Sequence, residues 1–288
     1  MNTPTLPEPS RRRLQAHFGF VKIPFRKNMH AAEMYDSRSQ REMAQGLHLW
    51  TEIRGLSLVI GPSGVGKSIT LRRFLGSLDD ARYKVIHLAA VPSTTTGFLR
   101  SLSRALDLPM RAHASDLFDQ AHKHLSSFSE EQGPHPLLVL DDAEGMSEPL
   151  LDLLRRMTSW GLDAEDRFSV LFSGTEQVLR TLRLPSLEPL RTRIGFAHAL
   201  KPFSLEDTRN YVAFHLNRAG GDAKLLSDDA CRRIFHASQG RPRLVNQLCL
   251  HVLIAAAVQG IEELSGVFVG SQLAAHPLYD GSAAGASP

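Results

Sequence analysis

Short apolar segments alternate with helix-like segments through residues 37–200. Residues 56–60 (LSLVI), 84–89, 137–140, 168–172 and 194–200 are rich in Leu, Val, Ile and Phe, which is typical of strands buried on both faces. Residues 37–50, 68–78, 98–106, 115–125, 148–160 and 175–182 carry apolar side chains three or four positions apart, which predicts helices. This alternation predicts a doubly wound α/β domain built on a parallel sheet.

The pattern changes after Pro202. Residues 204–219, 227–238 and 241–258 predict three helices with no strand between them, and Ser204 and Ser227 are suited to cap the first two. We therefore expect an α/β domain over residues 15–202 and a small helical domain over residues 203–262. Residues 1–14 are rich in Pro and Arg, and residues 263–288 end in a small, polar stretch, which predicts a disordered arm and a flexible tail.

Composition limits the classes of protein to consider. The chain has 288 residues, of which 42% are hydrophobic and 22% charged, as in globular proteins. Cys231 and Cys249 lie in apolar helical segments, which predicts buried free thiols rather than a disulfide framework or a metal site. No apolar run approaches the ~20 residues that a membrane-spanning helix needs. The N-terminus also lacks the apolar core of a signal peptide. We expect a soluble cytoplasmic protein with no membrane partner.

The charge of the chain is mildly basic. Its formal net charge is +3 and its pI is near 9.0, which permits an acidic partner such as nucleic acid but does not demand one. Arg72, Arg73, Arg100 and Arg104 lie on the helices predicted after the first and second strands and are candidate DNA contacts. The cluster at residues 11–13 fits either a nucleic-acid arm or a solubilising tail.

The chain contains a phosphate-binding motif between its first predicted strand and the following helix. Residues 61–68 read GPSGVGKS and match the pattern G-x-x-x-x-G-K-[ST]. The glycines let backbone N–H groups wrap phosphates, and the helix N-terminus adds partial positive charge. Lys67 would contact the β- and γ-phosphates, and the Ser68 hydroxyl would bind Mg²⁺. The predicted nucleotide-binding set is Gly61, Pro62, Ser63, Gly64, Val65, Gly66, Lys67, Ser68 and Ile69.

A second motif places two acids after a buried strand. Residues 137–144 read LLVLDDAE, and Asp141 falls at the carboxyl end of the strand, where open α/β sheets bind ligands. Asp141 is expected to hold Mg²⁺, directly or through water. Asp142 is expected to orient the attacking water.

These motifs together resemble a known family. The chain is similar to AAA+ ATPases of the ExeA/GspA-like branch, which includes transposition ATPases of the TniB and TnsC type. The resemblance covers about residues 18–258 and rests on FGFVKIPF, GPSGVGKS, LLVLDDAE, LEPLRTRI and SQGRPRLVNQL, the last resembling the family's lid signature. It implies a P-loop NTPase domain followed by an all-helical lid, with ATP and Mg²⁺ as cofactors.

The resemblance also implies roles for residues outside the two motifs. Ser173 or Thr175 matches the polar residue that senses the γ-phosphate, and Arg243 matches the lid arginine that contacts the nucleotide of its own subunit. Arg191 and Arg193 match the region of the arginine finger, which acts on the nucleotide of a neighbouring subunit. Hydrolysis would then depend on a homo-oligomer, either a ring or a filament.

One departure from the family bears on turnover. Asp142 stands where the family carries Glu, and aspartate is one methylene shorter, so it places a water less well. Hydrolysis is therefore expected to be slow unless Glu144 compensates.

Three functions remain open on this basis. The first is an ATP-dependent switch that assembles on double-stranded DNA and recruits or activates a transposase. The second is an ExeA-like secretion ATPase, whose relatives continue into a membrane span and a cell-wall-binding region that this sequence lacks. The third is a nucleotide-binding scaffold with little turnover. The basic pI favours the first.

Overall fold

The chain divides into two compact units. The computed structural model describes residues 8–26, 34–130, 133–159 and 165–276. One unit, Arg38–Lys201, is here called the α/β unit; the other, Met1–Ser37 with Pro202–Pro288, is the helical unit. No helix among the described residues is long and apolar enough to cross a membrane.

The elements follow one another in the order that the sequence pattern predicts, with three additional helices. The additions are α1, α8 and α12. In chain order the described elements are α1 Glu8–Phe18, α2 Arg38–Ile53, β1 Leu56–Ile60, α3 Lys67–Leu75, β2 Tyr83–Leu88, α4 Thr95–Ala105, α5 Ala114–Glu130, β3 His135–Leu140, α6 Glu148–Met157, β4 Ser169–Gly174, α7 Glu176–Leu182, α8 Glu188–Arg191, β5 Ile194–Ala199, α9 Leu205–Arg218, α10 Asp228–Ser238, α11 Pro242–Gln259 and α12 Gly266–Ala274. The predicted end of the sixth helix, at residue 160, lies outside the described residues.

The α/β unit is built on a parallel sheet, as predicted. Its five strands lie in the order β2-β3-β4-β1-β5, and each pair is parallel. Every residue of β3 and β4 is buried, because helices cover both faces of the sheet.

Alternate residues of the central strands enter two different cores. Leu58, Leu140 and Phe172 pack with α4 to α8 on one face. Val59 and Leu171 pack with α2 and α3 on the other. The candidate DNA contacts are therefore split, since Arg72 and Arg73 lie on α3 while Arg100 and Arg104 lie on α4, across the sheet.

The helical unit contains the three predicted helices as α9, α10 and α11. Ser204 and Asp207 form a capping box at the start of α9, and the Ser227 side chain accepts from the Ala230 N–H at the start of α10. Residues 266–274 form α12 rather than part of a flexible tail, because Val269 and Leu273 are buried in the same core.

The N-terminal region also differs from expectation. Residues 8–14 belong to a helix, not a disordered arm, since Leu14 is 1% exposed in the core of the helical unit. The segment FGFVKIPF packs on this unit rather than on the α/β unit, with Phe20, Ile23 and Phe25 buried there. The apolar side chains of the segment outweigh its high charge.

Candidate nucleotide-binding site

The motif residues meet at the carboxyl edge of the sheet. In the register of the central strands, Ile60 of β1 lies opposite Gly174 of β4, and Leu140 of β3 lies opposite Phe172. The segments that follow these strands therefore emerge side by side. The Gly61 N–H donates to the Gly174 carbonyl across a distance of 3.2 Å, which joins the phosphate loop to the end of β4.

The loop at residues 61–66 needs glycine for two different reasons, which Gly61 and Gly66 illustrate. A Cβ on Gly61 would lie 2.7 Å from the Leu200 carbonyl oxygen, so the end of β5 leaves no room for a side chain. Gly66 has φ 112°, a backbone conformation that residues with a side chain rarely adopt. The loop consequently turns directly into α3.

Lys67 and Ser68 form the first turn of α3. Lys67 is buried at 7% exposure, and its Nζ donates to the carbonyls of Gly61 at 2.8 Å and Pro62 at 3.3 Å. The ammonium group is thus held inside the curve of the loop. Ser68 is exposed, and no side chain caps the N-terminus of α3 within the described chain. The N–H groups of the first turn of an α-helix have no acceptor within the helix, so this turn is suited to bind an anion.

Asp141 and Ser173 lie on the same side of the sheet as α3. Both follow the alternation that sends Val139 and Leu171 into the α3-side core. Asp141 is 7% exposed, and Ser173 is fully buried with an Oγ that has no hydrogen-bond partner in the described part of the chain. Thr175, just beyond β4, is half-buried. The structure thus brings Asp141 and both sensor candidates to the edge where the loop begins.

Asp142 and Glu144 differ in their surroundings. Asp142 is exposed and has a left-handed backbone with φ 51°, while its N–H donates to Asp141 Oδ1. Glu144 Oε2 is buried and has no hydrogen-bond partner among the described residues. It lies beside Gly174, on the sheet face opposite Asp141.

The three predicted site arginines are divided between the two units. Arg191 Nη1 donates to the Leu182 carbonyl at 3.3 Å, and Arg193 Nη1 donates to Ser159 Oγ at 2.6 Å and to the Arg155 carbonyl at 3.2 Å. Both are half-buried at helix C-termini within the α/β unit. Arg243 is exposed in the first turn of α11, in the helical unit.

The sequence analysis missed Gln40, a polar neighbour of the loop. Gln40 is buried on α2, and its Nε2 lies 3.0 Å from the position of a Cβ on Gly66. A signal was present, since Gln40 continues the apolar stripe of Met43 and Leu47 at helical spacing. A polar side chain on a buried stripe next to a phosphate loop is a candidate to hold that loop in position.

The residues present fit ATP with Mg²⁺. The glycine cradle, the uncapped first turn of α3 and the Lys67 ammonium suit a chain of phosphates. The Ser68 hydroxyl and the Asp141 carboxylate are oxygen ligands of the kind that Mg²⁺ prefers. The orphaned hydroxyl of Ser173 adds a polar group next to Asp141.

Comparison with known proteins agrees with this geometry. Residues 51–182 match a family model described as an AAA domain. The chain is 27% identical over 250 residues to General secretion pathway protein A of Aeromonas hydrophila, covering 86% of this chain and 45% of that protein. It is 25% identical over 171 residues to a potential ATP-binding protein of Staphylococcus aureus, covering 58% and 59%. The chain thus spans about half the length of the curated relatives it matches.

Solved structures share the fold at low identity. Cdc6p from Pyrobaculum aerophilum has a TM-score of 0.64 at 18% identity, covering 86% of this chain and 69% of that one. Drosophila ORC bound to DNA has a TM-score of 0.64 at 14% identity, covering 95% and 68%. Aeropyrum pernix ORC1 in complex with DNA has a TM-score of 0.59 at 16% identity, covering 84% and 66%. Residues 51–182 of this chain are therefore similar to an AAA domain, and the chain has a fold like that of the Cdc6 and ORC proteins.

Proposed function

We propose that the protein binds and hydrolyses ATP and uses the nucleotide as a switch for assembly on DNA. The observation that carries the ATPase proposal is the phosphate loop, in which the buried Lys67 ammonium lies inside the curve of a glycine cradle at the N-terminus of α3.

The residues of one subunit have distinct roles in this proposal. Lys67 donates to phosphate oxygens, while Ser68 and Asp141 hold Mg²⁺, which when bound supplies positive charge against the phosphates. Asp142 orients the attacking water. Its exposed side chain and short length support slow turnover.

Contacts to the nucleotide beyond the loop come from three further positions in this proposal. Ser173 or Thr175 contacts the γ-phosphate or the water, and Arg243 contacts a phosphate of the same subunit. Arg191 or Arg193 acts on the neighbouring subunit's nucleotide. Either of these two must first release its present carbonyl acceptor, so activation would be coupled to a local rearrangement.

Assembly on DNA has support from the charge of the chain and from its relatives. The chain is basic, and two fold neighbours are described as bound to DNA. In the proposed role, the ATP-bound oligomer on double-stranded DNA recruits or activates a transposase. The TniB- and TnsC-like motifs support that partner.

The four candidate DNA arginines cannot share one flat surface. Arg72 and Arg73 lie on the opposite sheet face from Arg100 and Arg104, and all four are exposed. Charge reversal should therefore be tested in pairs. Loss of DNA binding with one pair and not the other would identify the face that contacts DNA.

A secretion role is a second candidate because of one specific observation. The chain aligns over 86% of its length with General secretion pathway protein A. In this alternative, ATP controls assembly with a protein partner rather than with DNA.

The test is DNA binding by fluorescence anisotropy with ATP, ADP or no nucleotide, across a salt series, with ATP turnover measured in parallel. We expect duplex binding with ATP only, falling steeply with salt, and its loss in Lys67→Ala. ATP binding without DNA binding in any state would favour the secretion role. DNA binding without turnover would leave a nucleotide-dependent scaffold.

A further inference from the structure

A strongly basic segment lies outside the site described above. Residues 11–26 (RRRLQAHFGFVKIPFR) contain four arginines, one lysine and His17, and no Asp or Glu. The whole chain has 33 basic and 30 acidic residues, so positive charge is concentrated here. We call residues 11–26 the basic strip.

The basic strip is anchored by its apolar side chains. Leu14, Phe20, Ile23 and Phe25 are buried in the core of the helical unit. The Phe25 ring stacks on His215 of α9 with a centroid distance of 5.0 Å. The strip therefore keeps its conformation without a partner, and binding need not order it.

Hydrogen bonds join the two halves of the strip into one surface. Gln15 Nε2 on α1 donates to the Val21 carbonyl at 2.9 Å, and the Val21 N–H donates to the Ala219 carbonyl at 2.8 Å. The loop after α1 is thus tied both to α1 and to the end of α9.

The charged side chains of the strip face solvent. Arg12, Arg13, Lys22 and Arg26 are exposed, and Arg13 Nη2 donates to the Val258 carbonyl at 3.1 Å. Neither Lys22 nor Arg26 has a carboxylate partner among the described residues. Val21, between the two halves, is 81% exposed. Exposed cations on a fixed surface are suited to an external anion.

Exposed carboxylates border the strip on two sides. Asp222 follows Gly221, which packs against Phe20, and Glu262 and Glu263 follow Ile261, whose carbonyl lies 2.7 Å from His17 Nε2. These acids repel an anionic partner that spreads over the whole unit. They favour a partner that follows the line of the strip.

We propose that the basic strip binds the phosphate backbone of duplex DNA. Arginine predominates over lysine, and its planar fork matches phosphate oxygens. DNA supplies a continuous row of such groups. This inference rests on the proposed function for DNA as partner, but it assigns the contact to the helical unit and not to the arginines of α3 and α4.

The test compares two matched double variants of the full chain. Lys22→Gln with Arg26→Gln removes two strip cations, and Lys123→Gln with Arg232→Gln removes one exposed lysine and one exposed arginine elsewhere. Duplex binding is measured across a salt series with ATP present.

We expect the slope of log affinity against log salt to shrink by about 1.8 for the strip variant, about 0.9 for each phosphate contact. The control should keep the parent slope. Adding Arg12→Gln should remove about 0.9 more.

Three outcomes would overturn the proposal. If the parent binds DNA and the strip variant keeps its affinity and slope, the strip is not the contact, and the proposed function stands. If the control loses as much as the strip variant, the effect is one of net charge. If the parent binds ATP but not DNA, the DNA part of the proposed function fails with it. Binding to phosphatidylcholine–phosphatidylserine vesicles in that last case would identify an anionic membrane as the partner.

Discussion

At the scale of single residues, backbone crowding shapes the phosphate loop. Gly61 lies where the Leu200 carbonyl at the end of β5 occupies the space of a side chain. Gly66 adopts a positive φ so that the loop can enter α3. Lys67 then reaches back to the loop carbonyls. The requirements at Gly61 and Gly66 concern space and backbone conformation, and they are separate from the chemistry of phosphate binding.

Gly61→Ala should destabilise the α/β unit and weaken nucleotide binding. The added methyl must displace the backbone of residue 200, which we expect to lower the free energy of unfolding by about 1–3 kcal/mol. Urea denaturation and ATP titration measure the two effects. Gly195→Ala is the control, because no described atom lies within 4 Å of its added Cβ. Equal stability of the two variants would contradict the steric argument.

Asp142→Glu should raise the rate of ATP turnover. The longer carboxylate reaches further toward the water, although glutamate tolerates the left-handed backbone at this position less well, at a cost on the order of 1 kcal/mol. Steady-state turnover is compared with Glu144→Gln. A slower Asp142→Glu variant would contradict the length argument, and a strong loss in Glu144→Gln would show that Glu144 compensates.

At the scale of elements, arginines bind the C-termini of helices. Arg193 donates to the Arg155 carbonyl near the end of α6, and Arg191 donates to the Leu182 carbonyl at the end of α7. Arg13 likewise donates to the Val258 carbonyl at the end of α11. A cation there adds a donor to the last carbonyls of the helix and complements the helix dipole. The two finger candidates therefore have a structural role that the sequence motif did not reveal.

Arg193→Gln should lower the free energy of unfolding by about 1 kcal/mol even without nucleotide, because Ser159 Oγ loses its donor and the Arg155 carbonyl loses one of its three. Thermal and urea unfolding measure this, with the exposed Arg183→Gln as control. A finger role adds a second expectation: mixing Arg193→Gln with Lys67→Ala should restore turnover, since each supplies what the other lacks. Unchanged stability would contradict the structural role.

At the scale of the whole molecule, each unit contains a buried neutral histidine. Burial lowers the pKa of His135 on β3 to about 4, with a smaller effect from Arg54. Burial also lowers the pKa of His215 on α9 to about 4, with Arg218 adding to the effect. His135 Nε2 lies 2.9 Å from Ser169 Oγ, and His215 stacks on Phe25. The two units should therefore both be sensitive to acid.

Acidification from pH 7 to pH 5 should destabilise both units. The unfolded histidine titrates near 6.5, so between that pH and about 4 the unfolded state binds more protons, and stability falls as the pH falls. The expected loss is on the order of 2 kcal/mol for each histidine. Urea denaturation at the two pH values measures it. His135→Gln and His215→Gln should each remove part of the pH dependence; the same dependence in both variants would contradict this origin.

The sequence by itself determined the parallel α/β fold, the phosphate loop and the acid after β3, because these depend on local patterns: apolar runs, helical spacing and glycines around a lysine. Boundaries were less accurate where local signals conflicted. β3 begins at His135, before Pro136, because residues 135 and 136 pair with β2 but not with β4. The predicted caps at Ser204 and Ser227 were confirmed, because each depends only on the serine and a backbone N–H three residues later.

Only the tertiary structure decided which distant segments share a core. Residues 1–14 were predicted to be a disordered arm, yet Leu14 is buried with Phe20 and Phe25 in the core of the helical unit. Residues far apart in the chain also decide the contacts of Arg191 and Arg193 with helix ends. The same is true of the placement of α3 and α4, which carry the candidate DNA arginines, on opposite faces of the sheet. Such contacts arise from chain packing, which a local pattern of side chains does not encode.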